Sequence, residues 1–199
     1  SGTFYQWGRK DALPGANNYM SGMLRGYDID GNGTAQGGKT TDAVSEAKDN
    51  LKQSIRQPWH FIKSASSWYS STTENDPYLW SKIDGTKGVY DPCPQGWRVP
   101  LWGDNTFSPW YGVTLPPDSD MNGNKGVEFP NLGFYPGSGY IAGSMSMTGV
   151  SVNARHANIW TASQSEPGWS YAFRITATAI EPSVVLAGAS SMPVRCVKE

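Results

Sequence analysis

The sequence predicts an α+β fold: a loop-rich antiparallel sheet with one clear helix and room for a second short one. Three observations carry that reading. Apolar residues recur every four positions in one stretch only, between residues 41 and 58. The C-terminal third alternates with period two between clusters of turn formers. Finally, 23 glycines, 14 prolines and nine tryptophans stand against a charged fraction of only 17%. Such a chain is dense in turns, which large amphipathic rings burying about 150–250 Å² each must hold in place.

Taken in order, residues 1–40 are rich in Gly and Asn without a sustained period, and are expected to form extended segments and turns. The stretch TTDAVSEAKDNLKQSIRQ sets Ala43, Ala47, Leu51 and Ile55 four apart, predicting a helix of about three to four turns. Thr41 or Asp42 is placed to cap it and Pro58 to stop it. Residues 58–100 interleave aromatics with turn formers, as long loops with brief strands do. The segment WGDNTFSPWYG (102–112) allows the second short helix, limited by Pro109. Five runs then read as antiparallel strands or hairpins: GFYPGSGYI, NIWTAS, SYAFRITATAI, SVVLAGA and PVRCV. In the third, Tyr171, Phe173, Ile175 and Ala177 are expected on one face, with Arg174 and Thr176 on the other.

A net charge of −1 provides neither a basic face for nucleic acid nor an acidic tail. The longest apolar runs, such as SVVLAGA, fall well short of the roughly 20 residues of a membrane span. The length suits a single domain over 1–199, and the abrupt start SGTFYQWG is expected of an excised or mature piece of something longer. Only two cysteines, Cys93 and Cys196, and two histidines are present, which excludes CxxC and HExxH sites. Two thiols so far apart fit either one long-range disulfide or two inert buried thiols. A bridge over a loop of about 100 residues would contribute roughly 4.7 kcal/mol in the chain-entropy picture.

The stretch DIDGNGTAQGGKTT (28–41) matches two patterns at once. From Gly33 it fits the phosphate-loop pattern GxxxxGK[ST], but LRGYDIDGN upstream is polar, with no apolar strand to lead into a phosphate cradle, so nucleotide is not expected. Asp28, Asp30, Asn32 and Gly33 also fit the head of a calcium loop, and the same DxDxNG recurs at Asp118, Asp120, Asn122 and Gly123. Position 12, where a bidentate Glu belongs, holds Lys39 in one loop and Phe129 in the other. Calcium in either loop therefore competes with a solvated polar turn, and no cofactor is required. Nothing resembles GxSxG, and the carboxylates are scattered, so enzymatic activity is not expected. Trp102, Trp110 and Tyr111 sit in a Pro- and Gly-bounded polar segment. There, exposed rings could stack on sugar faces, or could serve only to hold the loop. His156 is expected to be a hydrogen-bonded structural residue.

The segments YDPCPQGWRVP (90–100) and PVRCVKE (193–199) resemble the Fibrobacter-type major paralogous domain found in Bacteroidetes surface and fimbrillin-like proteins. FYQWGRKD (4–11), PWHFI (58–62), IWTAS (159–163) and YAFRI (171–175) add to the likeness, in order along the chain. The resemblance implies a C-type lectin-like fold and a Cys93–Cys196 disulfide. It implies export to the extracellular cell surface, and a role as the C-terminal or fimbrial tip module of an adhesin or lipoprotein. Membrane contact would come only through the rest of that parent. LWGDNTFSPWYG departs from the acidic helix that often follows RVP in relatives, and the EPN and WND tripeptides of calcium-dependent sugar binding are absent. The cysteine arrangement of formylglycine-generating enzymes, which share the fold type, is also missing. The expected function is non-enzymatic adhesion: recognition of a glycan or of a host or matrix protein through loops on a disulfide-closed scaffold. The alternative is a structural pilus or surface-assembly subunit that contacts its own partners.

Overall fold

The computed structural model describes residues 3–14, 26–27, 33–34, 40–58, 60–69, 79–82, 85–117, 119–121, 126–144 and 156–199. In chain order the elements are β1 (Thr3–Gln6), β2 (Leu13–Pro14), β3 (Gly26–Tyr27), β4 (Gly33–Thr34), β5 (Thr40–Asp42), α1 (Ala47–Arg56), β6 (Phe61–Lys63) and β7 (Trp97–Arg98). The second half adds β8 (Gly126–Phe129), β9 (Gly133–Pro136), β10 (Ala157–Glu166), β11 (Trp169–Ile175), β12 (Ile180–Ala187), β13 (Ser191–Met192) and β14 (Val197–Lys198). All pairings of these strands are antiparallel except β5 with β6. The chain is thus a loop-rich α+β structure with one helix among the described residues, as its sequence predicts.

The sheet β10–β11–β12 separates two cores. Trp160, Ala162 and Ala172 join Trp7, Trp68, Trp80 and Cys93 on one side; Ala157, Ile159, Phe173 and Ile175 join Trp110, Val127 and Tyr135 on the other. Burial on both faces explains why ANIWTA is buried without interruption rather than at alternate residues. Phe173 and Ile175 share one core, whereas Arg174 reaches Asn158 and Glu181 on the flanking strands. The strand stops at Ile175: Ala177 lies in a turn closed by the Thr176 N–H on the Ala179 carbonyl at 2.9 Å.

The helix differs from its sequence reading at its start and in its face. Asp42 belongs to β5, Thr41 pairs with Ile62, and α1 begins at Ala47 after Glu46, whose side chain makes no cap. The buried face is centred on Asn50 and Ser54, while Ile55 is 61% exposed. Asn50 explains the rotation. Its Oδ1 accepts the Val44 N–H at 3.0 Å, and its Nδ2 donates to the carbonyls of Val44 at 2.7 Å and Tyr69 at 2.9 Å. One amide thereby fixes the chain entering the helix and the loop beside it. Satisfying those buried backbone groups outweighs burying one more isoleucine.

The N-terminal strand is held chiefly by side chains. Indole N–H groups of Trp160, Trp68 and Trp80 donate to the carbonyls of Tyr5, Trp7 and Arg9, every second residue of a segment that leaves β1 through a turn at Gly8. Trp7 in turn donates to the Thr161 carbonyl at 2.9 Å. Gln6, fully buried, donates to the Ile62 and Ala189 carbonyls and accepts from the Ile62 N–H and Arg9. Arg9 continues to the carbonyls of His60 and Pro58. Burial pulls its guanidinium down to about 10, partly offset by Asp11, so it stays charged at neutral pH.

Between Trp7 and Arg9 sits Gly8, with φ at +84° and no space for a side chain: a Cβ there would stand 2.4 Å from Leu79 Cδ1. Gly8→Ala combines left-handed strain with overpacking and should lower the unfolding free energy by about 2–4 kcal/mol. Urea unfolding checks this: an unchanged midpoint would show that the segment is not tightly seated.

Candidate functional site

Two surface loops are braced strongly enough to present side chains in fixed positions. The first surrounds a disulfide, Cys93 to Cys196, whose cysteines are 103 residues apart with Cα atoms 5.7 Å from each other. Beyond the bridge, β14 pairs with β7, setting Val197 opposite Arg98 and Lys198 opposite Trp97. Buried Asp91 accepts the Cys93 N–H at 2.8 Å and the Val99 N–H at 2.9 Å. Lys87 reaches the carbonyls of Cys93, Pro94 and Trp97 at 2.5, 2.8 and 2.6 Å, with its ammonium 3.8 Å from Asp91. Asp91 and Lys87 are therefore occupied with the backbone around the bridge. On the far side, Arg195 donates to the Phe134 carbonyl at 3.0 Å and to that of Leu132, and lies 4.4 Å above the Tyr135 ring. That arginine ties the C-terminal segment to the second core.

The second braced loop runs over residues 101–113. The structure forms no helix here: the N–H groups of Asn105, Ser108 and Tyr111 bond back to the carbonyls of Trp102, Asn105 and Ser108, a chain of turns. Pro109 and the Asn105 side chain, whose Oδ1 accepts the Phe107 N–H at 2.9 Å, favour turns over a continued helix. At its start the loop lies on β12, with Gly103 N–H on the Pro182 carbonyl at 3.0 Å and Ser183 donating to Asp104.

The three rings singled out from sequence separate here. Trp110, read from sequence either as a ring for stacking on sugars or as one that holds the loop, is a core residue at 1% exposure, stacked on Phe173 at 4.5 Å and donating to Tyr135 Oη at 2.9 Å. Its area stabilises the loop and is closed to a ligand. Trp102 is partly buried, tilted against Tyr171 with centroids 4.7 Å apart. Tyr111 does project, at 57% exposure. Sequence reasoning passed over Phe107, at 81% the most exposed large apolar side chain among the described residues. Its position between an Asx turn and a proline was the available signal. Tyr135, held in the core by Trp110, has its hydroxyl pushed upward by burial.

Of the calcium-loop residues, Asp28, Asp30, Asn32, Asp118 and Asn122 lie outside the described residues. Asp120 is described, and among the described residues no three His, Cys, Asp or Glu side chains gather as a metal would need. In the phosphate-loop match Thr40 lies in β5 rather than opening a helix, and residues 35–39 lie outside the described set. His156 differs from expectation, since its Nδ1 is buried without a hydrogen-bond partner.

The disulfide loop yields two expectations. Cys93→Ser with Cys196→Ser should lose on the order of 4 kcal/mol, read by denaturant unfolding. A loss below about 1 kcal/mol would show that the backbone clamp holds the loop alone. Burial also pushes the Asp91 carboxyl above its ordinary value, against the pull of its two backbone donors and Lys87. The folded chain then binds that proton more tightly than the unfolded chain. The contribution of Asp91 is full below the ordinary carboxyl range and declines as pH rises toward the folded value. Wild type minus Asp91→Asn, measured as unfolding free energy from about pH 4 upward, should fall with pH. A difference that rises would reverse the assignment.

No protein-family model, no curated protein and no solved structure matches the chain.

Proposed function

We propose that this chain is a non-enzymatic recognition module of the cell surface, exported and carried at the end of a larger adhesin or lipoprotein. It would belong to the Fibrobacter-type major paralogous domains and share their C-type lectin-like fold. The antiparallel strands, the one helix among the described residues and the Cys93–Cys196 bridge support that reading. So does the contact between resembling segments: FYQWGR meets HFI through Gln6 and Arg9, and IWTAS through Trp7 and Trp160. A bridge over so long a loop suits an oxidising compartment.

The observation that carries the function is the pair Phe107 and Tyr111, held out on a loop whose other rings are spent on bracing it. Exposed rings on a rigid loop lose little entropy when a partner covers them. Covering one such side chain contributes about 1.5–3 kcal/mol. The partner is a glycan or a host or matrix protein. A structural role in a pilus or surface assembly is the second reading, favoured by Phe107, whose ring has no polar atom to offer a sugar.

A glycan array and a matrix-protein binding panel, run side by side, test both. Phe107→Ala and Tyr111→Ala should each weaken binding at least about tenfold while changing stability by less than about 0.5 kcal/mol. Trp110→Ala should instead unfold the loop, costing about 3–5 kcal/mol. Blank panels together with incorporation into fibres would leave the structural reading standing and remove the adhesive one.

A further inference from the structure

We infer that two copies of this chain associate through the outer edge of β12, pairing antiparallel about a two-fold axis at Val185. The sheet β10–β11–β12 has two edges, and the chain treats them differently. Along β10 the outer edge is covered: the Trp160 N–H bonds to the Pro193 carbonyl at 3.0 Å, and the Ala162 N–H to the Pro100 carbonyl at 2.7 Å. Along β12 only the two ends are met. The Pro182 carbonyl accepts the Gly103 N–H at 3.0 Å, and the Ala187 carbonyl accepts the Ser190 N–H at 2.8 Å.

Register fixes what lies between those ends. The carbonyls of Trp169 and Tyr171 accept the hydroxyls of Ser165 and Thr161, so they face β10. Ser170 and Ala172 therefore turn their backbone groups toward β12, where they stand opposite Leu186 and Val184. Val185 and Ala187 must then turn theirs away from β11. So must the Ser183 carbonyl, because it opposes the Val184 N–H across a planar trans peptide. The edge presents, in order, the Ser183 carbonyl, the Val185 N–H and carbonyl, and the Ala187 N–H, none of them hydrogen-bonded among the described residues. Val185, at their centre, is 41% exposed.

This pattern selects its occupant. Acceptor, donor, acceptor, donor becomes its own complement when a second β12 is laid antiparallel beside the first. Val185 exchanges both of its bonds with the partner's Val185, and the Ala187 N–H meets the carbonyl of the partner's Ser183, and reciprocally. Every open group is met. The side chains agree, since the axis sets Val185 opposite its own copy and Val184 opposite the partner's Leu186, and no charge falls within Ser183–Ala187. Natural edges are commonly guarded by a charge, a proline or a bulge. Here Pro182 and the register shift opposite Phe173 guard only the front of the strand. So short a contact makes a weak dimer. Gly103 on Pro182 sets one 101–113 loop at each end of the shared edge, so the dimer would present two recognition loops at once. That consequence rests on the proposed function; the pairing itself does not.

Sedimentation equilibrium of the intact chain from about 10 μM to 1 mM tests this, with a dimer dissociating at about 0.1–1 mM expected. Val185→Lys and Val185→Glu each set like charges opposite one another across the axis, and each should weaken association about fivefold or more. Mixing the two variants opposes Lys to Glu and should return the affinity to within about threefold of the wild type. Circular dichroism confirms that both variants fold, as substitution at an exposed edge position allows. Phe107→Ala should leave self-association unchanged, so failure here and failure of the 101–113 loop reading are distinguishable. The inference is overturned if the wild type stays monomeric at about 1 mM, or if either charged variant associates as the wild type does. It is overturned equally if the mixture associates no better than each variant alone. Growth beyond the dimer overturns it too, because the pairing is closed by its two-fold axis.

Discussion

The first core is arranged around one segment, Tyr5 to Arg9, which leaves β1 through a turn at Gly8 and whose alternate carbonyls accept indole N–H groups from Trp160, Trp68 and Trp80. Past Gln6 the chain leaves the β13–β1–β2 sheet and must satisfy its backbone elsewhere, because a buried, unmet carbonyl costs about as much as a lost hydrogen bond. A leucine could fill the same volume but could not donate. Tryptophan does both, as Trp7, Trp68, Trp80, Trp110 and Trp160 show, each buried and each donating its indole N–H. Gln6 and Arg9 complete the arrangement by spanning β1, β6 and the carbonyls near His60. The segment acts as the axle on which distant parts of the chain are set.

The disulfide works beside this arrangement rather than instead of it. Its chain-entropy contribution of roughly 4–5 kcal/mol is comparable to the whole net stability of a small protein. That effect acts mainly on the unfolded chain and does not by itself shape the native loop. Local shape comes from Asp91 and Lys87, which hold the backbone on both sides of Cys93. Burial opposes the ionisation of Asp91 and outweighs the two backbone N–H donors and the nearby ammonium that favour it. Arg195 then couples this loop to the second core through Tyr135 and the carbonyls of Phe134 and Leu132.

Aromatic residues in this molecule divide into those that build and those that are offered. Trp110 and Trp102 brace a loop; Phe107 and Tyr111 stand out from it; Trp97 stands out from a different one. Residue type does not make the division, since tryptophan occurs on both sides. What decides is whether a neighbouring element supplies a ring or an acceptor at stacking or hydrogen-bond distance. Under the proposed function, recognition would need no lid and no moving part, because the backbone N–H groups of Phe107 and Tyr111 are already bonded within their loop.

Much of the architecture was legible in the sequence. The C-terminal strands announced themselves by spacing and turn formers, the helix by its four-residue period, and the cysteine bridge through resemblance of DPCPQGWRVP and VRCV to a known domain. These are local signals, and local backbone preference writes them directly. The helix face, the second helix and the fate of Trp110 were decided only in three dimensions. Asn50 turned α1 to meet Val44 and Tyr69, strand β5 took Thr41 and Asp42 from the cap, and Phe173 drew Trp110 inward. Composition and pattern settle how much apolar area the chain must hide and how often it must turn. Which particular ring is hidden depends on acceptors and partners contributed from far along the chain, and that information exists only once the segments meet.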